Sequence, residues 1–268
     1  MTGLSAGSTP PVIAYWVNAG NTWYNSDQYK NKYTGRDTAT MIGADITIDS
    51  QYILGISGGV DRQVTNLKDS NTLVTVQSVT VGPYLAYVID DTYSIDAAGG
   101  FTRAADHLQV PKTRWGNYMG YKYYASGNVT ATKNYDPFSL SLVTGVLYSA
   151  STTSTYYTTD GYFVATSKNR DTQIRTTGKI GYTAITSWGW MFPYGSARLE
   201  YDVNKSYPSI IDTSTGTTAA NSLFGTTFGA GAIFGIGDST SFTLDGSTGQ
   251  FRIHNEVYSL TGTLRITF

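Results

Sequence analysis

The chain has 268 residues, no Cys, and 18 basic against 19 acidic side chains, a formal net charge of −1. That balance gives no basic footprint for nucleic acid or for an anionic membrane surface, and the missing Cys rules out disulfides and thiolate chemistry. Only 14% of residues are charged, against about 25% in ordinary soluble domains, and the only Glu residues are Glu200 and Glu256. Surface helices are therefore poorly supplied, while abundant Thr and Tyr favour strands, so the chain is expected to be all-β.

Residues 1–11 are rich in Gly, Ser and Pro and are expected to be a disordered or linker segment unable to form a helix. The start Met1-Thr2-Gly3-Leu4 lacks the basic and apolar regions of a signal peptide. An exported chain requires one, so this chain is expected to be a mature or excised portion. Residues 12–268 are expected to form one β-barrel. Strand patterns fall near 12–26, 38–49, 51–65, 72–89, 92–105, 118–134, 137–152, 171–185, 192–204, 221–236, 239–249 and 256–268, about twelve in all. Side chains two apart share a strand face. In the second strand Ile42, Ala44, Ile46 and Ile48 oppose Gly43, Asp45 and Thr47. In the ninth, Ala197, Leu199, Tyr201 and Val203 oppose Ser196, Arg198, Glu200 and Asp202. The last strand sets Tyr258, Leu260, Leu264, Ile266 and the terminal Phe268 against Ser259, Thr261, Thr263, Arg265 and Thr267.

Connections sort by parity. Odd-numbered ones tend to be long, at 27–37, 106–117, 153–170 and 205–220, with shorter ones near 66–71 and 250–255, and even-numbered ones are tight, at Asp49-Ser50, Asp90-Asp91, Tyr135-Asp136-Pro137, Trp188-Gly189-Trp190 and Gly237-Asp238. A transmembrane up-and-down barrel with short periplasmic turns and long outer loops has this form, and an even strand number puts both termini on the periplasmic side. No run of about 18 apolar residues marks a membrane helix, and a barrel needs none. Asp45, Asp96, Lys179, Arg198, Glu200, Asp202 and Arg265 all fall on polar strand faces and are expected to line the lumen. Trp188, Trp190, Phe192 and Tyr194 beside a tight turn are expected to form an aromatic girdle at the lipid–water interface. Tyr15, Trp16, Trp23, Tyr24, Tyr87 and Tyr93 also lie near strand ends.

With its length, strand number and terminal Leu264-Arg265-Ile266-Thr267-Phe268, the chain resembles the β-barrel translocator domain of autotransporters, the type V secretion proteins. Internal matches are Ile42-Gly43-Ala44-Asp45, Val81-Gly82-Pro83-Tyr84-Leu85-Ala86-Tyr87, Tyr93-Ser94-Ile95-Asp96, and Phe192-Pro193-Tyr194 followed by Ala197-Arg198-Leu199-Glu200-Tyr201. The resemblance implies a bacterial outer-membrane barrel that supports export or display of an N-terminal passenger. It implies outer-membrane lipids and the barrel-assembly machinery as partners, with Tyr258, Leu260, Leu264, Ile266 and Phe268 as the assembly signal. It also implies a helix inside the pore before the first strand, from which Gly- and Pro-rich residues 1–11 depart.

A monomer is expected, with no nucleic-acid partner, cofactor or metal. The alternatives are a passive channel or loop-displaying barrel, and an outer-membrane hydrolase. Only His107 and His254 could supply an imidazole base, both in or beside expected outer loops. Asp106 precedes His107, but neighbours in a strand point to opposite faces, so they make a poor dyad and an enzyme is not expected.

Overall fold

The computed structural model describes residues 11–27, 32–110, 114–159, 161, 163–206, 223–237, 239–252 and 255–268. Most of the expected linker, most of the 205–220 connection, and His254 lie outside the described residues. The barrel strands are β1 Val12–Ser26, β2 Tyr33–Ile48, β3 Tyr52–Leu67, β4 Thr72–Val88, β5 Tyr93–Val110 and β6 Arg114–Tyr135. They continue as β7 Phe138–Thr153, β8 Ser167–Tyr182, β9 Gly189–Ser206, β10 Phe224–Ile236, β11 Thr240–Arg252 and β12 Asn255–Thr267. Each pairs antiparallel with the next, and β12 pairs with β1, so the sheet has no free edge. A small hairpin, Tyr156–Tyr157 with Phe163–Val164, stands in the β7–β8 connection, and Ala184–Thr186 pairs beside the start of β9.

The turns are built locally. Asp49 and Ser50 both take positive φ, 51° and 56°, as a two-residue hairpin turn matching the strand twist requires. Asp90 Oδ1 accepts the backbone N–H groups of Thr92 and Tyr93, both at 2.7 Å, and so ties the β4–β5 turn. The opposite end differs from expectation. The expected 106–117 connection is mostly strand, because β5 runs to Val110 and β6 starts at Arg114. Backbone pairing continues beyond the stretch in which hydrophobicity alternates, and the alternation reports only the part that meets an apolar medium.

The register fixes the barrel's dimensions. One row of paired residues starts at Ser139 on β7 and passes through Gly181, Tyr194, Gly231, Asp245 and Thr261 to Gly20 on β1. It continues through Ala39, Asp61, Ser78, Ala104 and Gly120 and returns to β7 at Thr153, a displacement of 153 − 139 = 14 residues. With about 3.3 Å per residue and about 4.8 Å between strands, this stagger tilts the strands by about 39° and sets a backbone radius of about 12 Å. Each residue then climbs about 2.6 Å along the axis, and each sideways step around the row about 3 Å. On that scale the short-turn ends of the strands form a nearly level rim.

Burial is inverted relative to a soluble protein. The only buried hydrophobic residues among those described are Ala14 and Tyr194, whereas Ser26, Asp45, Ser57, Thr72, Ser78, Gln173 and Asp202 are buried. Ile42, Leu54, Ile56, Val79, Leu142, Leu199 and Leu260 are exposed. Among the described residues nothing packs on their faces and no helix covers them. Tyr15, Tyr52, Tyr93, Tyr135, Phe138, Tyr182 and Trp188 ring this apolar band near the short-turn rim, and Trp23, Tyr123, Tyr148, Tyr201, Phe224 and Tyr258 ring its other border. The axial climb separates the two rings by about 20–25 Å, against an apolar band of about 25 Å in membrane barrels.

Candidate functional site: the inner wall

Strand parity and the closed register set the inner face. Asp45, Asp96, Lys179, Arg198, Glu200, Asp202 and Arg265 all lie on it, opposite the exposed apolar face. Asp45 is the centre of one cluster. Its carboxylate accepts Nη1 and Nη2 of Arg265 at 3.0 and 2.6 Å and the Tyr84 hydroxyl at 2.7 Å. Trp16 Nε1 donates to the same hydroxyl at 2.7 Å. Arg265 stands on β12, Trp16 on β1, Asp45 on β2 and Tyr84 on β4. One network therefore crosses the seam where the two ends of the chain meet.

Glycines make room for it. Trp16 lies over its cross-strand partner Gly43, and Tyr84 over its partner Gly55. A Cβ at either glycine would fall 2.3 or 2.2 Å from the ring above it. The same device recurs with Tyr24 over Gly35, Tyr124 over Gly100 and Trp190 over Gly235. Large rings lie flat along the wall and leave the axis open.

A second cluster joins β8, β9 and β11. Lys179 Nζ sits 4.1 Å from the centre of the Tyr194 ring, a favourable cation–π placement, and the Tyr194 hydroxyl donates to Asp245. Higher up, Gln173 Nε2 donates to Asp202 at 2.6 Å, and Arg198 pairs with Glu200 at 3.4 Å. Asn128 donates to Asp96 at 2.6 Å. Asp245, Tyr84 and Asn128 were not expected as site residues, because only the register brings them to their partners.

The girdle expectation is corrected in part. Trp188 lies outside, its ring 6.3 Å from that of the outer-face Phe234. Trp190, Phe192 and Tyr194 share the parity of Arg198, Glu200 and Asp202 and face the lumen, as their positions over Gly235, Gly181 and Gly231 show. Trp16 and Tyr24 face inward for the same reason. Tyr258, Leu260, Leu264, Ile266 and Phe268 lie on the outer face, and the Phe268 ring meets Tyr15 edge-on at 5.9 Å across the β1–β12 seam.

Above the apolar band the wall stands tallest at β5 and β6. Asp106 faces inward there. Burial pushes its carboxyl up to about 6. Burial, with a smaller contribution from Asp106, also raises the Tyr118 phenol. Tyr156 of the small hairpin stacks on Tyr118 at 4.5 Å. His107 faces outward and shares a hydrogen bond of 2.6 Å with Asn117, so it and Asp106 lie on opposite sides of the wall. Among the described residues no group of three His, Asp or Glu side chains is placed to hold a metal.

The lumen can be sized from the radius. A side-chain layer about 5 Å deep, half of a sheet-to-sheet spacing, leaves an opening of about 14 Å within the 12 Å radius. That admits one α-helix, about 10–12 Å across, or one looped extended segment, and no folded domain.

This geometry has relatives. A family model described as the autotransporter β-domain matches residues 15–247. The chain belongs to the autotransporter β-domain family. Its fold is that of the β domain of the Bordetella autotransporter BrkA, with a TM-score of 0.78 at 16% identity over 96% of this chain and 99% of that one. The translocator domain of NalP from Neisseria meningitidis gives 0.74 at 12% identity over 96% of this chain and 87% of that one. The transport unit of AIDA-I from Escherichia coli gives 0.66 at 15% identity over 100% and 93%. No curated protein matches the chain in sequence. Such low identity transfers the architecture and leaves the wall chemistry to be argued from this autotransporter β-domain's own residues.

Proposed function

We propose that this barrel sits in the bacterial outer membrane and serves as the translocator and anchor of an autotransporter. The short turns and both chain ends face the periplasm, and the tall β5–β6 wall and long connections face outward. The observation that carries the reading is the pairing of an uncovered apolar belt with a polar, internally hydrogen-bonded lumen about 14 Å wide. Such an opening fits a chain in transit and excludes a folded cargo. Family membership adds weight to the same reading. The outer membrane's lipids are then the solvent for the apolar band, and the barrel acts as a monomer with every barrel strand paired. The exposed row ending in Phe268 supports a role for β12 as the segment that the barrel-assembly machinery engages.

The test is display. A signal peptide and an unstructured epitope-bearing segment are fused ahead of Val12, and intact cells are probed with antibody and protease. Epitope reached from outside, with the barrel showing heat-modifiable migration, is the expected result. An assembled barrel whose epitope stays periplasmic would overturn the reading.

A further inference from the structure

We infer that the outer face of β2–β5 carries a docking surface for the phosphorylated headgroup of an outer-leaflet glycolipid. Three arginines point outward on these strands: Arg36 on β2, Arg62 on β3 and Arg103 on β5. From the register and the axial climb, all three stand about 27–29 Å above the short-turn rim, just past the border of the apolar band. The chain thus places three guanidinium groups at one level within four consecutive strands, where hydrocarbon gives way to headgroups.

Among the described residues no carboxylate neutralises them. Arg36 is positioned by neutral groups: its Nε and Nη2 donate to Asn21 Oδ1 at 2.8 and 2.6 Å, and its guanidinium lies 5.8 Å from the Trp23 ring centre. Neither Arg62 nor Arg103 has a carboxylate partner among the described residues. Glu256 is the one acid at this level of the outer face among the described residues, and it lies two strands from Arg36, on β12. Between Arg62 and Arg103 runs a surface depression of about 650 Å³ that Thr38, Thr40 and Gln77 also line; Asp61 and Ser78 border it too, with side chains of inner-face parity and the Ser78 hydroxyl donating to the Asp61 carboxylate.

The chemistry selects the occupant. Planar guanidinium forks match phosphate oxygens bidentately, which an ammonium cannot do. The site opens sideways, toward the surrounding bilayer, and not toward the lumen or the aqueous mouth. Arg62 and Arg103 are two strands and two residues apart, about 12 Å between backbones, so two phosphate groups on one headgroup can each meet a separate arginine. The occupant is therefore a glycolipid with more than one phosphate, held with its acyl chains against Val60, Val79 and Val81 below.

The inference rests on the barrel lying in the outer membrane with its long-connection end outward, but its test does not use translocation. The purified full chain, folded in detergent, is mixed with bis-phosphorylated lipid A and read by native mass spectrometry. The expected result is retained lipid A that falls at least tenfold in Arg36→Gln/Arg62→Gln/Arg103→Gln. It should also fall when dephosphorylated lipid A or phosphatidylcholine is the probe. Arg36→Lys/Arg62→Lys/Arg103→Lys keeps the charge and loses the forks, so it should retain lipid at a level between the parent and the Gln variant, and Lys133→Gln at the opposite rim should stay within about twofold of the parent. Equal retention by the Gln triple variant would overturn the inference. So would equal retention of dephosphorylated lipid, a Lys variant as weak as the Gln variant, or a matching loss with Lys133→Gln. Heat-modifiable migration confirms that each variant is folded. Lost epitope display with lipid binding intact would count against the translocator reading alone.

Discussion

The Asp45–Arg265 pair should respond asymmetrically to loss of either partner. The Asp45 side chain is 0% exposed and the Arg265 side chain 39%. Replacing Arg265 by Gln strands a carboxylate that water cannot reach, with Tyr84 as its remaining donor. Breaking a buried pair in this way costs about 3–5 kcal/mol, and the Tyr84 hydrogen bond offsets roughly 1 kcal/mol of it. Replacing Asp45 by Asn leaves a guanidinium that can turn into lumen water, so the loss is about 1–2 kcal/mol. The double variant removes both charges and should be less damaged than Arg265→Gln alone, which requires a coupling of about 2–3 kcal/mol between the sites, larger than the cost of Asp45→Asn. Urea unfolding and refolding in lipid vesicles, followed by Trp emission, measures all four corners of the cycle. A double variant less stable than Arg265→Gln, or Asp45→Asn costing as much as Arg265→Gln, would refute the argument that solvent access decides the energetics.

Two neighbours on β11 should give opposite results. Leu244→Arg places a charge on the exposed apolar face about 10 Å above the rim and should cost about 2–4 kcal/mol in vesicles, while Thr243→Arg, on the inner face, should stay within about 0.5 kcal/mol of the parent. The same titrations measure both, and equal costs would refute the lipid-facing assignment. At the outer end, the folded-state Asp106 pKa of about 6 stands above its ordinary 3.8. The folded state therefore holds this proton more tightly, and local stability falls as pH rises from about 4 through about 6, then levels off. Asp106 is half-buried, so solvent screening limits the effect to about 1 kcal/mol. Asp106→Asn should flatten the profile and slow amide exchange at Thr159, whose N–H bonds the Trp115 carbonyl at 3.0 Å, above pH 6; an unchanged profile would refute it.

Alternation made the strands legible. β1, expected over 12–26, is Val12–Ser26, and β12, expected over 256–268, is Asn255–Thr267. The upper parts of β5 and β6 were not legible because polar residues there face water on both sides and lose the two-faced signature. The lumen charges followed from parity. Parity also held the signal that corrects the girdle, since Trp190, Phe192 and Tyr194 continue the even-numbered row of Arg198, Glu200 and Asp202. Proximity to a tight turn was the weaker guide. Spacing did not place Asp245 under Tyr194 or Gly55 under Tyr84, because those meetings depend on the register between neighbouring strands, which the alternation within one strand does not carry.

The near-zero net charge conceals a partition between faces. The inner wall of β2, β3 and β5 carries Asp37, Asp45, Asp61, Asp96 and Asp106, while the basic groups of the same strands, Arg36, Arg62 and Arg103, stand on the outside. Inside, much of the charge is engaged within the wall: Asp45 by Arg265 and Tyr84, Asp96 by Asn128, Asp202 by Gln173, Asp245 by Tyr194. A conduit works only if its cargo can leave each contact as readily as it enters. A wall that satisfies its own polar groups and lays its largest rings flat over glycines offers a passing chain few places to stick. The outer arginines have the opposite task. With no carboxylate partner among the described residues, they stand at the border of the apolar band as the inferred contact with what surrounds the barrel, so on that inference the two faces divide passage from anchorage.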